Sequence, residues 1–218
     1  MIEKLLPSGV AVAESFGEMP DVAPLAAEAG LIARAVEKRR KEFVTTRNCA
    51  REALGQLGID PVPIMRGDKG EPLWPRQVVG SLTHCDGYRA AIAGYSMQVR
   101  SLGVDAEPHA PLPEGVLDAV SLEPEREVLA TRDDSVHWDR LLFCAKEATY
   151  KAWFPLTKRW LGFEDAHITF EQTETESMGT FRSELLVDGA TIDGGEPLLR
   201  FDGRWLVEGG LIIAVISL

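Results

Sequence analysis

Apolar positions recur along this chain with two different periods, and the switch between them marks out its elements. Residues 24–57 are dominated by Ala, Leu, Glu and Arg with no proline after Pro24, which predicts helix, closed by Gly58 and Pro61. The Gly- and Pro-rich stretch 61–75, containing Gly67-Asp68-Lys69-Gly70-Glu71-Pro72, predicts a loop. Two strand-like runs follow at 78–83 and 88–95, with Cys85-Asp86-Gly87 as the turn between them. A third run, 99–105, leads into a proline-rich stretch at 108–113.

Beyond that stretch the order of elements repeats. Helix is predicted at 122–130 and again at 137–153, where Pro155 should stop it. Alternating strands are predicted at 167–172, 180–187, 204–207 and 211–217, the last two joined by a Gly209-Gly210 turn. No repeated sequence accompanies the repeated order. Helices followed by hairpins in each half predict an α+β fold of two similar lobes, residues 1–107 and 108–218.

Charge narrows the choice of partner. The 218 residues carry a formal net charge of −11, which argues against a general affinity for nucleic acid or an anionic membrane. One segment breaks the trend: Lys38, Arg39, Arg40, Lys41, Arg47 and Arg51 cluster within a short span, which suggests a small anionic ligand. The three cysteines, Cys49, Cys85 and Cys144, lack the close spacing of a zinc or redox motif and read as reduced thiols. No apolar run is long enough to span a bilayer and no signal pattern opens the chain, so a cytoplasmic protein is expected.

Three constellations carry candidate chemistry. Gly103-Val104-Asp105-Ala106-Glu107-Pro108 ends an apolar strand, and alternation puts Asp105 and Glu107 on one side. Carboxylates that close suit magnesium, although two acids on a solvated strand end have the same pattern. In the helix Trp138-Asp139-Arg140-Leu141-Leu142-Phe143-Cys144-Ala145-Lys146-Glu147-Ala148-Thr149-Tyr150-Lys151-Ala152-Trp153, Glu147 and Lys151 share a face. A surface ion pair is the plain alternative; the apolar, aromatic character of the helix favours partial burial. In Gly80-Ser81-Leu82-Thr83-His84-Cys85, Ser81, Thr83 and His84 are phosphate donors if they converge, and His84 also fits a structural role.

Together these segments resemble the Sfp-type 4'-phosphopantetheinyl transferases, and most of all the mycobacterial PptT-like group. The family signature is an apolar strand ending in (V/I)-G-(V/I)-D-x-E, then a helix carrying W/F-x-x-K-E-A-x-x-K-A. Leu102-Gly103-Val104-Asp105-Ala106-Glu107 matches the first, with Leu102 a mild departure, and Phe143 to Ala152 match the second without a gap. The Gly67 to Pro72 and Ser81 to His84 stretches match two further family blocks.

The resemblance implies two α+β lobes related by a pseudo-twofold axis, with coenzyme A in the cleft between them. It implies transfer of phosphopantetheine from coenzyme A to a serine of an apo acyl or peptidyl carrier protein, releasing adenosine 3',5'-bisphosphate. By carry-over, Asp105, Glu107 and Glu147 would hold magnesium (or manganese). Arg40, Arg47, Lys69, Ser81 and His84 would grip the phosphates of coenzyme A, with Lys146 and Lys151 completing the cationic side. Glu147, Lys151 and Asp105 are the expected catalytic residues, Glu147 serving as metal ligand before base. Expected partners are carrier domains of polyketide, fatty-acid or nonribosomal peptide synthases, met by a monomer. Two other readings remain open on the residues alone: a non-catalytic coenzyme A-binding module, and a magnesium-dependent phosphohydrolase.

Overall fold

The computed structural model describes residues 1–19, 21–173 and 177–218. The chain divides into two compact units, Met1–Leu102 and Gly103–Leu218.

In the first unit β1 (Ala11–Phe16) precedes a long helix, α1 (Glu37–Gln56), and a small hairpin, β2 (Met65–Arg66) and β3 (Pro72–Leu73). A second hairpin follows, β4 (Val78–Cys85) and β5 (Tyr88–Tyr95), and the main sheet runs β1-β5-β4, all antiparallel. Small side chains let α1 lie close on this sheet: Cys49, Ala50 and Ala53 pack with Ala11, Ala13, Ala91 and Ala93. The helix predicted from residue 24 starts only at Glu37, preceded by a 3-10 turn at Ala29–Ile32.

The reason is the fully buried Glu28. Its carboxylate accepts the Leu25 amide at 3.1 Å, the Ile64 amide at 2.9 Å and Arg51 Nη1 at 3.0 and 3.1 Å. The segment ahead of α1 is therefore held by a side-chain hub rather than by helical hydrogen bonds. Strand β1 was not expected; its run Ala-Val-Ala is too short and too alanine-rich to stand out.

The second unit opens on β6 (Leu102–Pro108), whose first residue closes the first unit. The helix predicted at 122–130 is α3 (Glu123–Leu129), and a further short helix not expected from the sequence, α2 (Val116–Val120), precedes it. The long α4 (Trp138–Thr157) is followed by β7 (Ala166–Gln172), β8 (Met178–Leu185), β9 (Arg200–Glu208) and β10 (Leu211–Ser217). The sheet runs β6-β10-β9-β8-β7. The strand bearing Asp105 and Glu107, assigned by sequence to the end of the first lobe, joins this second sheet because its neighbour is β10.

Helix α4 does not stop before Pro155. That proline is exposed near the C-terminus, where it forgoes one backbone bond, while Leu156 and Thr157 beyond it are buried. The helix ends instead at Lys158, whose φ of 54° is left-handed and whose amide bonds Phe154 O at 2.8 Å.

A second buried hub stands here. Glu125 accepts the Leu122 amide at 2.7 Å, the Ile168 amide at 2.7 Å and Lys146 Nζ at 2.8 Å. It repeats the scheme of Glu28: one glutamate takes a backbone amide three residues back, a cation of the main helix, and an isoleucine amide beyond that helix. The strand order β6-β10-β9 likewise repeats β1-β5-β4. The α+β class is thus built twice, on one plan.

One glycine sets the spacing in the second unit. A Cβ on Gly103 would lie 2.1 Å from Ala148 O and 3.0 Å from Ala152 Cβ, so β6 passes against α4 where only glycine fits. Gly103→Ala should force strand and helix apart and cost roughly 1–3 kcal/mol, read by chemical denaturation. An unchanged unfolding midpoint would show that the close approach does not matter.

Candidate active site

The contact at Gly103 brings the functional side chains of β6 and α4 together. Asp105, buried on β6, pairs with Lys151 of α4, Nζ to Oδ1, at 2.7 Å. Lys151 Nζ also donates to Val104 O at 3.0 Å. Two residues on, Glu107 Oε2 accepts Arg140 Nη1 at 2.9 Å. Arg140 in turn donates from Nε to Ala110 O at 3.1 Å and from Nη2 to Pro111 O at 2.7 Å. Asp139 accepts the Leu112 amide at 2.7 Å, so the start of α4 clamps the segment that follows β6.

Electrostatics tie in the third carboxylate. Burial raises the pKa of Glu147, and the charges of Asp105 and Glu107 raise it further against the pull of Lys151. Glu107 is likewise raised by burial and then by Asp105, with Arg140 opposing. Burial alone would lower the Lys151 ammonium, but Asp105 and then Glu147 outweigh it and its pKa stands raised. Three carboxylates thus face two cations in a poorly hydrated place, leaving an excess of negative charge.

That donor set suits magnesium by its chemistry: all ligands are oxygen, and the mutual repulsion is what a divalent cation relieves. Among the described residues, no three His, Cys, Asp or Glu side chains are grouped so as to hold a metal unaided. Asp105 and Glu107 are instead engaged by Lys151 and Arg140. The residues fit an ion that draws part of its shell from substrate phosphates.

Lys146 is not brought to this cluster. It is buried, and its ammonium serves Glu125 at 2.8 Å, Phe163 O at 2.6 Å and Ala166 O at 2.8 Å, which uses all three of its donors. One residue's step around α4 turns it away from the face of Glu147 and Lys151. Burial lowers its pKa and Glu125 offsets that.

The first unit carries the predicted phosphate contacts. His84, exposed near the end of β4, meets Arg39 Nη1 at 2.7 Å through Nε2. A guanidinium only donates, so Nε2 accepts and Nδ1 holds the ring proton. Arg39 was not among the expected site residues; its neighbour Arg40 was. Arg40 instead bonds back to Ala35 O at 2.8 Å and Ala33 O at 2.7 Å, tying the 3-10 segment to α1. A one-residue difference in helical phase separates the two, and no sequence signal gives it.

Arg47 is buried, donating to Ile64 O at 2.9 Å and lying 4.5 Å over the Phe43 ring. Its pKa is lowered to about 10, by burial first, with Glu28 opposing and Arg66, Arg39 and Arg51 adding repulsion. Arg66, which the sequence reading passed over, therefore belongs to the same positive region. Lys69 is exposed in the β2–β3 turn, its amide bonding Glu71 Oε2 at 3.1 Å. Ser81 is buried on β4, and alternation puts it on the opposite face from His84.

Comparison with known proteins gives the class. Residues 27–94 match the family model of the 4'-phosphopantetheinyl transferase N-terminal domain, and residues 101–192 that of the 4'-phosphopantetheinyl transferase superfamily. The chain belongs to this superfamily and is a transferase of that type. It is 61% identical over 220 residues to 4'-phosphopantetheinyl transferase Npt of Nocardia iowensis, covering 100% of this chain and 99% of the relative. To 4'-phosphopantetheinyl transferase PptT of Mycobacterium tuberculosis it is 58% identical over 223 residues, covering 100% and 98%. To 4'-phosphopantetheinyl transferase Svp of Streptomyces mobaraensis it is 47% identical over 224 residues, covering 100% and 89%. These relatives favour the transferase over the binding-module and phosphohydrolase readings.

Two predictions follow from the electrostatics. Glu147→Gln removes a like charge from the cluster and should raise the ligand-free melting temperature while abolishing phosphopantetheine transfer; a lowered melting temperature would contradict the repulsion. Lys146→Ala should cost about 3–5 kcal/mol in denaturant titration, because Glu125 is left buried and uncompensated. Replacing both partners, Glu125→Met with Lys146→Met, should recover part of that loss. Equal or greater loss in the double variant would contradict the pairing.

Proposed function

We propose that this transferase works at the Asp105, Glu107, Glu147 and Lys151 cluster, using magnesium and coenzyme A to modify a carrier-protein serine. The observation that carries the reading is the Asp105–Lys151 pair at 2.7 Å, with Glu147 held nearby at a raised pKa. Magnesium, held by Asp105, Glu107 and Glu147 together with the pyrophosphate of coenzyme A, would neutralise charge on the phosphate oxygens. Manganese fits the same oxygen donors.

The chain's own residues supply the rest. The carrier serine attacks the β-phosphorus of coenzyme A as the bond to adenosine 3',5'-bisphosphate breaks. The serine proton passes to Glu147 directly or through a water, a role second to metal binding because a carboxylate held on magnesium is a weaker base. Lys151, kept cationic by Asp105, would offset the charge that grows on the bridging oxygen. Asp105 in turn fixes the lysine, so the pair acts as a preorganised cation rather than a mobile one. His84, Arg39, Arg47 and Lys69 take the phosphates of coenzyme A on the first unit, while Ser81 lies on the other face of β4 from His84. Nothing comparable is assigned to Arg40 or Lys146, whose donors are engaged as described.

The substrates proposed are apo acyl and peptidyl carrier domains of polyketide, fatty-acid or nonribosomal peptide synthases, modified by a monomer in the cytoplasm. None of the described helices is long and apolar enough to cross a membrane.

Incubating an apo carrier domain with the protein, coenzyme A and magnesium should add one phosphopantetheine unit to its intact mass, and chelating the metal should prevent this. Coenzyme A cleaved without labelling any carrier would favour a hydrolase instead. Asp105→Asn should reduce labelling by at least about a hundredfold, since it frees Lys151 and removes a metal ligand together. Near-normal labelling by that variant would overturn the site assignment.

A further inference from the structure

Arg89 on β5 is only 4% exposed, and its Nε is buried without a hydrogen-bond partner. Among the described residues no carboxylate forms an ion pair with this guanidinium. A buried charge left in that state is costly, and a folded protein retains one where something else supplies the opposite charge.

Register places the residue. In the β4–β5 hairpin Arg89 stands directly opposite His84, and on the other side of β5 it stands opposite Ser15 of β1. Residues directly opposed across antiparallel strands share a face. That face is the one covered by α1, since Ala91 and Ala93, two and four residues along β5, pack on Cys49, Ala50 and Ala53. The Ser15 hydroxyl points away to Gly17 O at 3.3 Å, and Arg39, above His84, is shared with Glu42 Oε2 at 3.3 Å. Arg89 and His84 therefore stand opposite each other on the face of the sheet that α1 covers, Arg39 of α1 bonds His84, and the buried Arg89 lacks a counter-charge.

We infer that Arg89 is the buried anchor of the phosphate site edged by His84 and Arg39, held uncompensated until a phosphate group of coenzyme A arrives. The inference rests on the transferase reading above and deepens it. Arg39 and His84 meet solvent and select the anion; Arg89 behind them raises the free energy of the empty site and lowers it when the anion arrives. A carboxylate buried at this place would have stabilised the ligand-free fold and weakened ligand binding, because the anion would have to displace it.

The test is calorimetry and thermal unfolding of the full chain with magnesium, comparing the unaltered protein with Arg89→Met and Arg89→Lys. Coenzyme A affinity should fall about tenfold or more in Arg89→Met and less in Arg89→Lys. The ligand-free melting temperature of Arg89→Met should hold or rise, while the increase caused by coenzyme A shrinks. Using 3'-dephospho-coenzyme A as the second probe separates the sources. A penalty seen only with coenzyme A assigns the 3'-phosphate, and a penalty with both probes assigns the pyrophosphate. Arg89→Met that binds coenzyme A as tightly as the unaltered chain overturns the inference and leaves the transferase reading standing. So does an Arg89→Met protein that melts earlier without ligand yet gains the full ligand-induced increase, which is the mark of a purely structural residue. Failure of the unaltered chain to bind coenzyme A at all would overturn the transferase reading and this inference with it.

Discussion

The 2.7 Å pair between Asp105 and Lys151 is the contact on which the second unit's chemistry depends. It joins a strand to a helix, and it can form only because β6 passes α4 at the one residue without a side chain, Gly103. Ala148 and Ala152 on the helix keep the other wall of that contact small. The signature residues are thus two halves of one geometric device: the glycine and alanines set the distance, and the aspartate, glutamates and lysine use it. Burial then gives the charges their strength, since a like-charge set in water would be screened and nearly harmless.

Each unit secures its main helix by the same means. Glu28 with Arg51 and Glu125 with Lys146 are buried ion pairs whose carboxylates also take up amides from before and after the helix. Removing one partner would strand the other in a dry place, so the hubs fix the rotation of α1 and α4 about their axes. For α4 that rotation decides whether Glu147 or Lys146 faces β6. The hub has a second effect at the sheet edge. Ile168 of β7, an edge strand, gives its amide to Glu125, and Phe170 O receives Arg132 Nη2 at 2.7 Å, which blunts the edge against pairing with another chain.

Much of this was legible in the sequence where a residue's chemistry and its spacing agree. Asp105 at strand spacing and Lys151 at helical spacing were both singled out, and the fold pairs them at 2.7 Å. Lys146 bonds away from Glu147 and Lys151, because a motif shows which residues recur, not which way each side chain turns. Its partner, Glu125, is far away in sequence and bonds mainly to backbone amides, which leave no trace in composition. The same holds for Glu28, whose capture of Leu25 and Ile64 ends the helical pattern that residues 24–36 otherwise display. Pro155 was read as a stop from local sterics alone, yet burial of Leu156 and Thr157 outweighs one missing backbone bond. Arg39 and Arg40 are indistinguishable in a basic run, and only the phase of α1 assigns one to His84 and the other to the chain behind it.

The central claim is that the excess negative charge of Asp105, Glu107 and Glu147 is relieved by a divalent cation that also needs the phosphates of coenzyme A. The most direct measurement is a calorimetric titration of manganese into the protein with and without coenzyme A, repeated on Glu107→Gln. The account predicts weak metal binding alone, much tighter binding with coenzyme A present, and loss of that gain in the variant. Metal binding that is equally tight without coenzyme A, or indifferent to Glu107, would contradict it.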